Sequence, residues 1–178
     1  MKKLGGYLGL ILSVILFLHS LISLLSFSIQ INASILFILG IFIIIISSIH
    51  IFINLIIFLL AKEYTCIKYK KANLKCYYQR ISGLLIILFV IIHILFAKGI
   101  FITEVYYIFF AVTSLICYFL CYSHIAVSFT NALVSIGAVS SKRIIQIINL
   151  FIYAICIFMF IFSLIDIINS INYFSTLN

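Results

Sequence analysis

The chain has 178 residues, 67 % of them hydrophobic and 8 % charged, with no proline and a mean hydropathy of +1.43. Those values exclude an ordinary water-soluble domain and place the chain in a membrane. The formal charge of +8 comes from lysines and arginines gathered between the apolar runs, so anionic lipid head groups, and not nucleic acid, are its natural counter-charge.

A hydrocarbon core about 30 Å thick takes roughly 20 apolar residues per helix, and runs of that length recur five times. The first, about 6–28, follows MKK; it is longer than a signal-peptide core, shows no small-residue cleavage site and is interrupted by His19, so it reads as a mature span. The second, about 34–61, follows a short connection, which makes the first two helices an antiparallel hairpin. Then comes the one long loop, from Lys62 to Gln79, carrying EYTCIKYKKANLKCYYQ. The third and fourth spans, about 81–98 and 103–128, form a second hairpin across Ala97–Ile102, and the fifth covers about 144–168. The expected fold is all-α, a single transmembrane domain over 1–178 built as a bundle of five membrane helices.

Lys2, Lys3, Lys62, Lys68, Lys70, Lys71, Lys75, Arg80, Lys142 and Arg143 fall on one side of this topology, and Lys98 is alone on the other. The positive-inside rule then puts the N-terminus in the cytoplasm or matrix and the C-terminus across the membrane. Cys117, Cys121 and Cys156 lie in spans, where a thiol acts as a small hydrophobe, and Cys66 and Cys76 face the reducing side. There is no CxxCH for covalent haem attachment.

An ionisable residue inside a membrane span is a functional candidate by default, and all four histidines of the chain lie in the first four spans, one on each. His19 to His50 and His93 to His124 are both separations of 31 residues, which suggests two equivalent halves. Counted from the outer loops at 1.5 Å per residue, His19 lies about 16 Å deep and His93 about 8 Å, while His50 and His124 both lie roughly 30 Å away. Two levels result: an outer one with His19 and His93, and an inner one with His50 and His124. A flat macrocycle between the hairpins would receive two axial imidazoles at each level, the arrangement of a b-type haem, giving two haems stacked between the first four helices. A zinc site, by contrast, needs three or four ligands on one level. Four separate interhelical hydrogen bonds to neighbouring carbonyls remain the other reading of the same residues. Arg80 and Ser82, at the cytoplasmic start of the third span, are placed to hold a haem propionate.

QRISG, with His93 thirteen residues after Arg80, resembles the helix pattern of the single-chain, two-haem cytochrome b subunit of succinate dehydrogenases and fumarate reductases. His50 followed by Ala61 and Lys62 is similar to that family's second-helix pattern. His124 with Gly137 and Arg143 is similar to its fourth-helix pattern, and His19 inside YLGLILSVILFLH falls where the first ligand stands. The resemblance covers most of the chain and implies the same pairing, His19 with His93 and His50 with His124. Two departures stand out: Asn54 replaces a glycine that often follows the second ligand by four residues, and the first outer loop, SIQINAS, carries no carboxylate.

The resemblance implies a membrane anchor in the bacterial cytoplasmic or mitochondrial inner membrane. It would pass electrons between a quinone, ubiquinone or menaquinone, and flavoprotein and iron–sulfur subunits docked on the basic face. Lys62, Lys68, Lys70, Lys71, Lys75, Lys142 and Arg143 are the docking candidates. Arg80 and Ser82 are alternatively donors to a quinone carbonyl, and Glu104 and Asp166, the acids on the outer side, are candidates for quinol protons. The chain has no flavin or dinucleotide fingerprint and no cysteine cluster for iron–sulfur ligation, so it does not itself handle a dicarboxylate. A stand-alone di-haem quinol cytochrome, and a haem-free small transporter or assembly subunit using histidines as relays, are the alternatives.

Overall fold

The computed structural model of the protein describes residues 2–29, 33–60, 70–97 and 106–175. They form α1 (Lys2–Ile29), α2 (Ala33–Leu60), α3 (Lys70–Ala97), α4 (Tyr106–Ile136) and α5 (Lys142–Ser175). Each contains a stretch long and apolar enough to cross a membrane, as expected of a multi-pass membrane protein. With no proline to remove a donor, each helix keeps its backbone hydrogen bonds within itself, the condition for crossing lipid.

The helices run past the expected spans, with α1 starting at Lys2 and α5 continuing past 168 to Ser175, and the difference is largest at the start of α3 and the end of α4. α3 begins at Lys70, so the second half of the expected long loop is helical and places Tyr78, Gln79 and Arg80 on a continuous helix with Ser82. Nothing in KKANLKCYYQ breaks a helix, and its polar residues mark where the helix leaves hydrocarbon rather than where it starts. α4 likewise continues past 128 to Ile136. It ends at Gly137, which adopts φ 84°. The Gly137 N–H donates to the Val134 carbonyl at 3.1 Å and the Ala138 N–H to Leu133 at 3.0 Å, the paired bonds of a Schellman cap.

The helices form a chain of neighbours. α1 packs against α2, α4 and α5, and α4 against α1, α3 and α5; among the described residues α2 packs closely only on α1, and α3 only on α4. The α1–α4 pair is therefore the spine, with α2 and α3 flanking it without meeting. α1 comes close to the end of α4 because residue 6 is glycine: a Cβ there would stand 2.9 Å from Ile136 Cγ2 and 3.1 Å from the Ala132 carbonyl oxygen. The core lies between α4 and α5, where Tyr122, Ile125, Ala126, Ile152 and Cys156 are buried, with Leu16 and Phe17 of α1 packed on them. The opposite surfaces are apolar too, and no residue in the most apolar part of α2 is buried (0 %). In lipid such a surface needs no cover.

Lipid tails are as apolar as leucine, so interhelical polar contacts carry a larger share of the specificity than in water. Tyr122 Oη and Ser163 Oγ lie 3.1 Å apart between α4 and α5, and Thr130 hydrogen bonds to Asn149 between the same helices. Between α3 and α4, Tyr78 donates to Ser123, Gln79 Nε2 to Ser128 Oγ at 3.1 Å, and Lys75 Nζ to Asn131 Oδ1 at 3.4 Å. This polar seam fixes the register of the second hairpin.

Candidate functional site

All four histidines lie within the described helices, each half-buried. His93 of α3 and His19 of α1 are within electrostatic reach of each other, and so are His124 of α4 and His50 of α2. Each pair thus takes one imidazole from each hairpin, across helices that do not otherwise pack together. The first pair stands towards the α1–α2 turn and the second towards the ends that carry Lys3, Lys75 and Lys142.

The surroundings of the rings differ from one hairpin to the other. In the second hairpin each helix offers a serine to the histidine of its partner. Ser82 Oγ of α3 is 2.8 Å from His124 Nδ1, and Ser114 Oγ of α4 is 3.3 Å from His93 Nδ1. Both serines are almost completely buried. Phe110 also stacks on His93, with ring centroids 5.8 Å apart, and Tyr118 lies tilted against it at 6.4 Å.

The Ser82 geometry sets a tautomer. Its one hydrogen is directed to the Tyr78 carbonyl, 2.6 Å away, which can only accept. The hydroxyl oxygen must therefore accept from His124 Nδ1–H, which leaves Nε2 of that ring as a lone pair, the form that binds a metal.

In the first hairpin, Asn54 Nδ2 is 2.9 Å from the His50 carbonyl oxygen and 3.0 Å from His50 Nε2. A carbonyl cannot donate, so the Asn54 amide nitrogen faces it, and its second N–H points at the Nε2 lone pair. The Nδ1 atoms of His19 and His50 are buried with no hydrogen-bond partner, a cost of about 1–3 kcal/mol each if nothing else compensates it.

Glycine makes room for the inner rings. A Cβ on Gly9 of α1 would stand 3.2 Å from His50 Cε1, and one on Gly83 of α3 would stand 3.5 Å from His124 Cε1. Gly9, His19 and His50 map onto Gly83, His93 and His124 by the same shift of 74 residues. The histidine spacing alone did not single out these glycines, although each lies ten residues before a histidine. Ser114 had no such signal, because its partner is set by packing, and Asn54 stood out only as a departure from a glycine, with nothing to show its bond to His50.

The other candidate residues are spread over the molecule. Arg80 is exposed on α3, two residues from Ser82, and Lys142 and Arg143 are exposed at the start of α5. Lys70 and Lys71 open α3, while Lys62, Lys68 and Glu104 lie outside the described residues. Asp166 is buried on α5, where Ser23 Oγ of α1 donates to its Oδ2 at 3.3 Å. It lines a cavity of about 70 Å³ together with Ser20, Tyr118, Met159 and Ser163. That is room for a few water molecules, several-fold below the 300 Å³ or so of a small-molecule pocket. Tyr118, which also touches His93, connects this cavity to the outer histidine pair.

Among the described residues no three histidine, cysteine or carboxylate side chains gather around one point. The candidate donors are instead the four histidines, one on each of α1 to α4, with His93 in electrostatic reach of His19 and His124 of His50. Such a set suits a planar chelate that already fills four positions of its metal and needs two more from the protein. No family model matches the chain, and neither the curated proteins nor the solved structures yield a match.

Proposed function

We propose that this chain is the haem-binding membrane anchor of a succinate dehydrogenase or fumarate reductase, moving electrons between an iron–sulfur subunit and membrane quinone. The observation that carries the proposal is the placement of one histidine on each of the first four membrane-spanning helices, with the same spacing of 31 residues in each hairpin. It is supported by the glycine clearance over each inner ring and by the Nε2 lone pair that Ser82 imposes on His124.

His19 with His93 would hold one b-type haem and His50 with His124 the other; bound there, the haems supply one-electron transfer across the membrane. The protein's part is to hold the imidazoles neutral and oriented and to keep water from the rings with leucine, isoleucine and phenylalanine. Arg80 is the cationic partner for a propionate or a quinone carbonyl. The N-terminus is cytoplasmic by the positive-inside rule. The basic ends of α3 and α5 then face the flavoprotein and iron–sulfur subunits, and steering by such a face is salt-dependent. On the outer side, Asp166 and Glu104 are the acids that would take quinol protons; the Asp166 cavity suits water as the carrier better than the quinone ring.

The test is a reduced-minus-oxidised absorption spectrum of the purified chain, together with identification of what copurifies from its native membrane. The proposal expects b-type α-bands and stoichiometric flavin and iron–sulfur subunits. Haem without those partners would assign a stand-alone cytochrome, and absence of haem would overturn the proposal.

A further inference from the structure

Ser20 of α1, Tyr118 of α4 and Ser163 and Asp166 of α5 line one cavity of about 70 Å³. Three helices therefore turn polar side chains towards one place in an otherwise apolar bundle. Asp166 stands three residues before the end of the apolar stretch Lys142–Asn169, about 4.5 Å of helical rise, and is only 8 % exposed. An acid buried in a membrane helix is costly and marks a functional position by default.

The hydroxyl hydrogens decide what the cavity accepts. Ser20 Oγ donates to the Leu16 carbonyl at 3.0 Å and Ser163 Oγ to the Met159 carbonyl at 2.9 Å, and a carbonyl can only accept. Both serines are left with lone pairs alone to offer. Tyr122 lies against both hydroxyls, with its Oη 3.1 Å from Ser163 Oγ, and its single hydrogen occupies only one of their four lone pairs. Ser23 Oγ donates to Asp166 Oδ2 at 3.3 Å and so orients the carboxylate. The lining is rich in oxygen lone pairs and carries one acid. Such a set repels an anion and matches a hard cation, the class that oxygen ligands select. A single carboxylate neutralises a single charge, whereas a divalent ion would leave net positive charge beside Leu21, Phe158 and Phe162.

We propose that this cavity binds a sodium ion between α1, α4 and α5, with the Asp166 carboxylate and the Ser20 and Ser163 hydroxyl oxygens as ligands and water completing the shell. The volume exceeds the 10–15 Å³ or so that one water needs, so an ion and water fit together. Sodium is favoured over potassium because selectivity among hard cations follows cavity size and ligand number, and the larger ion needs more of both. The bound ion ties α5 to the α1–α4 spine. The inference goes beyond the haem anchor and needs no haem. It gives Asp166 a second ligand beside the quinol proton, and the two exclude each other on one carboxylate. Tyr118 is the titratable group that faces Asp166 from α4, and Ser20 and Ser23 face it from α1.

The experiment uses the full chain in lipid nanodiscs, with sodium replaced stepwise by potassium or choline at constant ionic strength so that screening does not change. The unfolding temperature of the wild type should rise with the logarithm of the sodium concentration once the site fills, as binding to the folded chain requires, and should not respond to potassium or choline. Asp166→Asn should abolish the sodium response. Ser20→Ala, which leaves the acid in place, should raise the apparent dissociation constant for sodium by about 10-fold or more, and it decides the matter if Asp166→Asn does not fold. A sodium-minus-potassium infrared difference spectrum reads the site in the folded chain: a carboxylate band should appear in the wild type and be missing from Asp166→Asn. Equal responses to sodium, potassium and choline mean a cavity filled by water alone and overturn the inference, as does a sodium response that survives in Asp166→Asn or is unchanged in Ser20→Ala. Each of those results leaves the haem anchor standing, and a chain that binds sodium but no haem overturns the anchor alone.

Discussion

Gly9 and Gly83 allow the inner site to be tested without touching a histidine. Replacing a helix-interior glycine by alanine gains about 0.5–1 kcal/mol of backbone entropy, unless the new methyl group meets something. At Gly83 the Cβ would stand 3.5 Å from His124 Cε1, an ordinary contact. Gly83→Ala should therefore be stabilising by about 0.5–1 kcal/mol and leave the haem spectrum unchanged. At Gly9 the Cβ would stand 3.2 Å from His50 Cε1. The ring must give way by a few tenths of an ångström, so Gly9→Ala should gain less and should shift the inner component of the spectrum. Leucine at either position drives three more carbons against the ring. Overpacking of that kind costs about 1–3 kcal/mol, and Gly9→Leu and Gly83→Leu should both lose the inner haem while keeping the outer one. Thermal unfolding in detergent, followed alongside the absorption spectrum, measures both effects. The reasoning is refuted if Gly9→Ala is stabilised as much as Gly83→Ala, or if either leucine variant removes the outer component first.

Gly6→Ala should be destabilising by about 1–3 kcal/mol despite the gain in helix propensity, because its Cβ would lie 3.1 Å from the fixed Ala132 carbonyl oxygen; thermal unfolding reports it. Gly137→Ala should cost about 1–2 kcal/mol through the left-handed cap conformation, with Gly137→Asn costing less, by the same measurement. Asp166→Asn should slow quinone-linked turnover with both haems retained, and Glu104→Gln provides the parallel measurement; normal turnover in both removes the outer carboxylates from the proton route and leaves Arg80 as the quinone candidate, since the Ser82 hydroxyl is taken by Tyr78 and His124.

The five helices were legible because apolar runs of bundle length, unbroken by proline, admit only one kind of structure in lipid. The placement of one histidine on each of the first four spans was legible from the sequence, and depth alone sorts the four onto two levels because the helices are antiparallel and of known rise. The start of α3 was not legible: hydropathy marks where a helix enters hydrocarbon, and Lys70 to Gln79 are helical outside that layer. The hydroxyl of Ser82 was expected at a propionate or a quinone carbonyl, and its bonds to His124 and Tyr78 depend on which face of α3 meets α4. That rotation is set by contacts such as Gln79 with Ser128, which no periodicity in an almost uniformly apolar helix reveals. Asn54 was visible as a departure from a glycine pattern, but its hydrogen bond to the ring of its own helix required the side-chain conformation.

The central claim is that four histidines ligate two haems in cross-hairpin pairs. Low-temperature absorption and electron paramagnetic resonance spectra of the four single variants, His19→Ala, His50→Ala, His93→Ala and His124→Ala, test it most directly. Two low-spin components are predicted in the parent chain, with His19→Ala and His93→Ala losing the same one and His50→Ala and His124→Ala losing the other. Loss of different components within a pair, or a parent chain that binds no haem, contradicts the account.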